Sequence, residues 1–363
     1  MNYLFNLLAL NKIRGLGPLK IRQLTSHIDE GEIEEYLTTT DISSLLSSKF
    51  KEEYFHLLKT GLNSQIQHEL EFCVQSGIRV IPYWSKEFPH RLKQINDYPN
   101  FIYVKGDPPL NSPKTIALVG TRKPGNSSIK WMEQFMEEIQ EDSIQILSGL
   151  AYGIDSFAHR AAEREQIQNI AVLAHGLETI YPAANYKLAR SMEKFGGIVS
   201  DFPTGTKPDR ENFPKRNRII AGLADVVIVV EAKKKGGALI TAELALGYNR
   251  DVFAIPGRIG DEMSSGCNTL IKNNKAAILS SAQDLGWYMS WKKKNTGAQT
   301  SLFKTTSEDE KRVISLLQSG RIHLDELSIE AGFPISKINS ILLELEFKGF
   351  IKSLPGKNYQ LIG

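Results

Sequence analysis

Nine consecutive residues, Val119-Gly120-Thr121-Arg122-Lys123-Pro124-Gly125-Asn126-Ser127, nearly reproduce the spacing of a loop that cradles nucleotide phosphates, but Asn126 stands where such a loop has its lysine. Without that ammonium no positive charge reaches the β- and γ-phosphates, so nucleoside-triphosphate hydrolysis loses its main support. No GxGxxG follows the preceding apolar run either, which argues against a dinucleotide. A glycine-bearing turn with Arg122 and Lys123 remains, suited to a phosphodiester at a helix N-terminus. The plainer alternative is that Gly120 and Gly125 only shape the turn and water solvates the charges.

A second turn, Ser148-Gly149-Leu150-Ala151-Tyr152-Gly153-Ile154-Asp155, opens a helix carrying His159 and Arg160. Asp155 and His159, four apart on one helical face, could be two metal ligands or an acid/base couple. No third ligand stands nearby in sequence, and Asp155 is placed to cap its helix. His175 stands alone. Between Lys207 and Arg218, the cations Lys207, Arg210, Lys215, Arg216 and Arg218 surround Phe213 and Asn217. Cations interleaved with an aromatic suit an extended single strand, whose phosphates meet the charges while a base stacks on the ring. A solvated loop anchored by Phe213 would have the same composition. Farther on, Glu231 precedes Lys233-Lys234-Lys235-Gly236-Gly237, another glycine turn whose amides could hold a phosphate. Glu231 has no positioned partner in sequence for general acid/base work. Cys267 reads as buried, since no basic neighbour would make it a thiolate.

These turns need a scaffold that gathers them. Apolar runs at Thr115 to Val119, Ile144 to Leu147, Ile170 to Ala174, Gly197 to Ser200, Val226 to Val230 and Val252 to Ile255 alternate with helical patterns. Such alternation predicts an α/β fold with a parallel sheet covered on both faces and ligands beyond the carboxyl ends of its strands. Two shorter runs, Arg79 to Tyr83 and Phe101 to Lys105, are candidates to extend that sheet. The division expected is a small helical domain over residues 1–76, of helix-hairpin-helix or SAM-like type, an extended Rossmann-like domain over 77–288, a linker over 289–306 and a winged-helix-like domain over 307–363. In the first, Gly15-Leu16-Gly17-Pro18 is either a turn between packed helices or a phosphate-contacting hairpin. The last combines a Ser307/Glu310 capping box, helices at Leu324 to Ala331 and Ser336 to Phe347, and strands at Phe350 to Lys352 and Tyr359 to Leu361 around a Pro355-Gly356 turn.

With 41% apolar and 23% charged residues, the 363-residue chain has the composition of a globular protein, and its net charge of +3 puts any nucleic-acid binding on local clusters. Its two cysteines, Cys73 and Cys267, fit neither a zinc site nor a disulfide framework, and no cofactor or metal is expected. The apolar Met1 to Leu10 lacks a basic segment before it, and no run reaches the roughly 18 apolar residues of a membrane span. A cytoplasmic location without membrane attachment follows as the expectation.

Six segments in order, Ala117 to Arg122, Ser148 to Asp155 with His159-Arg160, Phe213 to Ala221, Gly236 to Ala242, Pro256-Gly257 and Gly266 to Ile271, resemble the signature of the DprA (Smf) DNA-processing family, over roughly Ile78 to Ser281. The resemblance implies a protein that binds single-stranded DNA on an extended Rossmann fold, forms a homodimer through that domain, protects incoming DNA and helps load RecA recombinase on it during natural transformation, without catalysis. It also implies a DNA-binding pocket built from Gly120, Thr121, Arg122, Lys123, Ser148, Gly149, Arg210, Phe213, Asn217, Arg218, Gly236 and Gly237. Lys235-Gly236-Gly237 departs from the Ser-Gly-Ser commoner in that family, as Lys272-Asn273-Asn274-Lys275 does from its glycine-alanine ending. The tail's third helix mixes Lys337 and Lys348 with Glu344 and Glu346, a pattern that suits a protein partner better than duplex DNA. The competing readings are a phosphoribohydrolase-like nucleotide-processing enzyme using Asp155 and Glu231, and a transcription regulator reading duplex through residues 305–363.

Overall fold

Apolar residues at helical spacing form six helices at the start of the chain: α1 (Asn2–Lys12), α2 (Pro18–Leu24), α3 (Ile33–Thr39), α4 (Ile42–Leu45), α5 (Ser48–Lys59) and α6 (Leu62–Gln75). The computed structural model describes residues 2–139, 143–291, 307–318, 320–348, 350–354 and 357–361. Each break has a local cause. Gly15 takes φ +81° before Pro18 starts α2, and the Asp41 carboxylate caps α4 by accepting from the Ser43 amide at 3.0 Å.

The chain then enters β1 (Ile78–Pro82), α7 (His90–Lys93), β2 (Phe101–Gly106), β3 (Lys114–Gly120), α8 (Asn126–Glu138), β4 (Ile144–Ser148), α9 (Ile154–Arg164), β5 (Gln168–Val172), α10 (Tyr186–Met192), β6 (Gly196–Ser200), α11 (Asn212–Leu223), β7 (Val226–Glu231), α12 (Gly237–Gly247), β8 (Asp251–Ala254), α13 (Ser265–Lys272), β9 (Ala277–Ile278) and α14 (Ala282–Tyr288). Nine strands form one sheet in the order β1-β2-β6-β5-β4-β3-β7-β8-β9. From β6 to β9 every pairing is parallel; β1 and β2 extend the sheet as an antiparallel edge beside β6.

Strand alternation divides the core in two. Ala117, Val119, Val227 and Val229 point into one cluster with α11 and α12 residues, whereas Ile116, Leu118, Val226 and Ile228 point into the other with α8 and α9 residues. Both faces being dry explains why β3 and β7 read as unbroken apolar runs. The run expected at Ile170 to Ala174 sits two residues earlier. Gln168 and Asn169 join the ladder because Asn169, though polar, is buried beside His159, while Leu173 lies past the strand end. The two-residue β9 and β10 carry too little pattern to be read from sequence.

The contacts divide the chain into units Met1–Lys292 and Lys293–Gly363. The second holds α15 (Glu308–Leu317), β10 (Ile322–His323), α16 (Leu324–Ala331), α17 (Ile335–Phe347), β11 (Ile351–Leu354) and β12 (Asn358–Leu361), with sheet order β10-β12-β11. This helix and strand order is that of a winged helix. The Ser307/Glu310 capping box forms in both directions, at 3.2 and 2.7 Å. Most of the expected linker, residues 292–306, and the Pro355-Gly356 turn lie outside the described residues.

Candidate nucleic-acid interface

After β3 the chain turns toward β4, β5 and β6 on one side; β7 then pairs on the other side of β3, with β8 and β9 beyond it. Loops leaving β3 and β7 therefore diverge, opening a crevice at their carboxyl ends. The Thr121 amide donates to the Glu231 carbonyl at 2.7 Å, and the Glu231 carboxylate accepts from the Gly125 amide at 2.9 Å, tying the two turns together. A Cβ on Gly120 would lie 2.5 Å from Ile154 Cγ1, so only glycine lets α9 begin this close to β3.

The crevice holds two adjoining cavities. The inner, about 330 Å³, is lined by Gly120, Thr121, Arg122, Tyr152, Asp155, Phe213, Arg216, Asn217, Lys233, Lys235, Gly236 and Gly237 among others. The outer, about 740 Å³, shares Arg122, Phe213, Lys235, Gly236 and Gly237 and adds Tyr181, Arg210 and Lys234. Three turns far apart in sequence thus meet: seven of the residues singled out from sequence line the inner cavity and Arg210 lines the outer. Four stand outside both linings. Lys123 is exposed on its turn, Ser148 is buried with its hydroxyl donating to the Leu118 carbonyl at 2.6 Å, and Gly149 packs beneath Arg216. The Arg218 guanidinium turns away to the Asp201 carboxylate and the Asp97 carbonyl.

Arg216 is the buried cation of the site. Its side chain is 3% exposed, donates to the Val172 carbonyl and lies against Gly149, where any Cβ would overlap the guanidinium. Burial pulls its pKa down to about 10, against the pull of Asp155. Burial also raises the Asp155 carboxyl above its usual range, with Arg216 opposing the rise. Asp155 does not cap its helix as expected. Gly153 holds the cap position, and the Asp155 carboxylate, two residues inside, reaches back to accept from the Gly149 and Ala151 amides at 3.1 and 3.4 Å.

His159 does not join Asp155. Its Nδ1 meets Asn169 Oδ1 at 3.2 Å, and burial lowers its pKa to about 3, leaving a neutral ring. Neither acid/base nor metal use is built from that pair, and among the described residues no group of three or more His, Cys, Asp or Glu could hold a metal ion. Burial lifts the Cys267 thiol to about 11 and the Cys73 thiol to about 12, so both stay protonated. Sequence reasoning passed over two lining aromatics. Tyr152 and Tyr181 are 49% and 43% exposed, and the one signal for them was an aromatic in a loop beyond a strand end.

Known proteins share this fold. A family model described as DNA recombination-mediator protein A matches residues 79–289, and one described as DprA winged helix domain matches residues 298–357. Protein Smf of Escherichia coli (strain K12) is 34% identical over 299 residues, covering 80% of this chain and 79% of that one. The DNA processing protein DprA of Streptococcus pneumoniae (strain ATCC BAA-255 / R6) is 35% identical over 269 residues, covering 73% of this chain and 92% of that one. The X-ray structure of DprA from Streptococcus pneumoniae matches with a TM-score of 0.65 at 32% identity, over 78% of this chain and 96% of that one. A structure of DNA processing protein A from Helicobacter pylori, described as giving insight into that protein's single-stranded DNA binding mode, matches with a TM-score of 0.54 at 27% identity, over 59% of this chain and 96% of that one. With more than half of its length matched by the first model and its extended sheet shared with these structures, the chain belongs to the DNA recombination-mediator protein A family.

Proposed function

We propose that this protein binds single-stranded DNA in the crevice between β3 and β7, acts in the cytoplasm as a homodimer and hands the strand to RecA recombinase. One observation carries the binding site: Arg122, Lys235, Phe213 and the amide-bearing Gly236-Gly237 turn line both cavities at once. Cations, the Gly237 amide at the start of α12 and the lining aromatic rings together match a phosphodiester strand with unpaired bases, whereas a duplex would hide the faces that stack. The Helicobacter pylori relative's described binding mode supports the same ligand class. RecA and the dimer rest on the family resemblance, and no described helix is long and apolar enough to cross a membrane.

The strand is held without bond chemistry. The carboxylates that a phosphoribohydrolase-like reading would use are engaged, Asp155 with two loop amides and Glu231 with Gly125. In the winged helix the lysines of the third helix pair internally, Lys337 with Asp309 at 2.7 Å and Lys348 with Glu310 at 2.5 Å, which weakens any basic face offered to duplex. Anisotropy titrations of the full chain with oligo-dT and with a duplex of equal length test the reading: tighter binding to the single strand is expected, and equal or tighter binding to duplex overturns it.

A further inference from the structure

The sequence assigns base stacking to Phe213, but the structure surrounds that ring with charge. Arg122 lies over it with the guanidinium carbon 5.4 Å from the ring centroid, and Arg216 does so at 6.0 Å. Both are within cation–π range, so the Phe213 ring already has cationic partners. Beside it stands Tyr181, with centroids 6.0 Å apart and planes at 64°. Rings so inclined cannot clasp one base between parallel faces, since a base stacks at about 3.4 Å from each neighbour. Tyr181, 43% exposed, instead lines the outer cavity beside Arg210 and Lys234.

We propose that Tyr181 is the base-stacking residue of a second nucleotide subsite in the outer cavity, so that the strand crosses the shared wall of Arg122 and Phe213 with one nucleotide on each side. The inference rests on the single-strand reading above and deepens it. Tyr181 supplies the ring that a base needs, and Arg210 and Lys234 supply charge for the flanking phosphates. Phe213 then acts chiefly as a ridge that orients Arg122, dividing the crevice into two chambers. The ligand class is a run of at least two unpaired nucleotides.

The experiment compares oligo-dT with a strand of equal length and charge whose central sites are abasic, each titrated against the full-length wild type and Tyr181→Ala. Loss of one stacked base should weaken oligo-dT binding about five- to 150-fold while abasic-strand binding changes less than twofold, and Tyr181→Trp should restore the dT affinity. Photocrosslinking of wild-type protein to a strand bearing 5-iodouracil gives a readout free of any folding defect; the adduct should map to the peptide containing Tyr181. An equal loss on both strands, or a crosslink confined to other peptides, overturns the assignment. Wild-type binding to oligo-dT that Tyr181→Ala leaves within twofold overturns this inference alone, whereas no wild-type binding at all overturns the single-strand reading beneath it.

Discussion

Replacing Arg122 by alanine tests whether charge at the crevice does what the geometry assigns to it. Four exposed cations line the cavities without a carboxylate in ion-pair range among the described residues, Arg122, Arg210, Lys234 and Lys235; Arg216 also lines the inner one but is buried, and Lys233 pairs there with Glu262 at 2.9 Å. Each phosphate neutralised on a single strand contributes about −0.7 to the slope of log affinity against log salt, so four contacts give about −2.8. Raising salt from 50 to 200 mM should then weaken wild-type binding by roughly 50-fold, and Arg122→Ala, with a slope near −2.1, by roughly 20-fold. A charge-assisted hydrogen bond contributes about 1.5–3 kcal/mol, so the variant should also bind about ten- to 150-fold more weakly at the lower salt. Anisotropy of a labelled oligo-dT across five salt concentrations reads both quantities. A variant slope equal to the wild type's would refute the direct ionic contact, even if affinity fell.

Two further substitutions probe the folded frame, one in each unit. His159 has its pKa depressed from 6.5 to about 3 by burial, so the unfolded chain takes up its proton first as pH falls. Its contribution to stability is whole above pH 6.5 and is lost as pH falls toward 3; from pH 8 to pH 5 the loss is about 2 kcal/mol. Urea unfolding at both values should show that much less acid destabilisation in His159→Gln, and coincident pH dependences would contradict it. In the C-terminal unit, Ser307→Ala removes the hydroxyl that accepts from the Glu310 amide. Loss of the cap costs about 1 kcal/mol, so exchange of the α15 amides should speed about fivefold while exchange in the large sheet stays constant.

Much of this architecture was legible in the residues alone. The strands β3 and β7 are continuous apolar runs because both faces are buried, and a pattern set by burial on each side of a strand is written locally. The Ser307/Glu310 box and the glycine turns at Gly120 and Gly236 were equally readable, because each solves a problem a few residues long: an orphan amide to satisfy, or a backbone that must pass close to its neighbours. The order of six short segments along the chain was specific enough to point to the family.

Which cations face the crevice was settled only by packing. Arg216 and Arg218 stand two apart on α11, so a helical turn of 3.6 residues sends them to different sides. Arg216 lines the inner cavity, while Arg218 meets Asp201 and the Asp97 carbonyl, partners 17 and 121 residues away. Tyr181 shows the same limit: nothing near it in the chain foretells that Phe213 will lie beside it. Local sequence fixes turns, caps and which strands are dry. Counter-charges and neighbouring rings are decided by contacts between distant segments, which exist only once the sheet has brought those segments together.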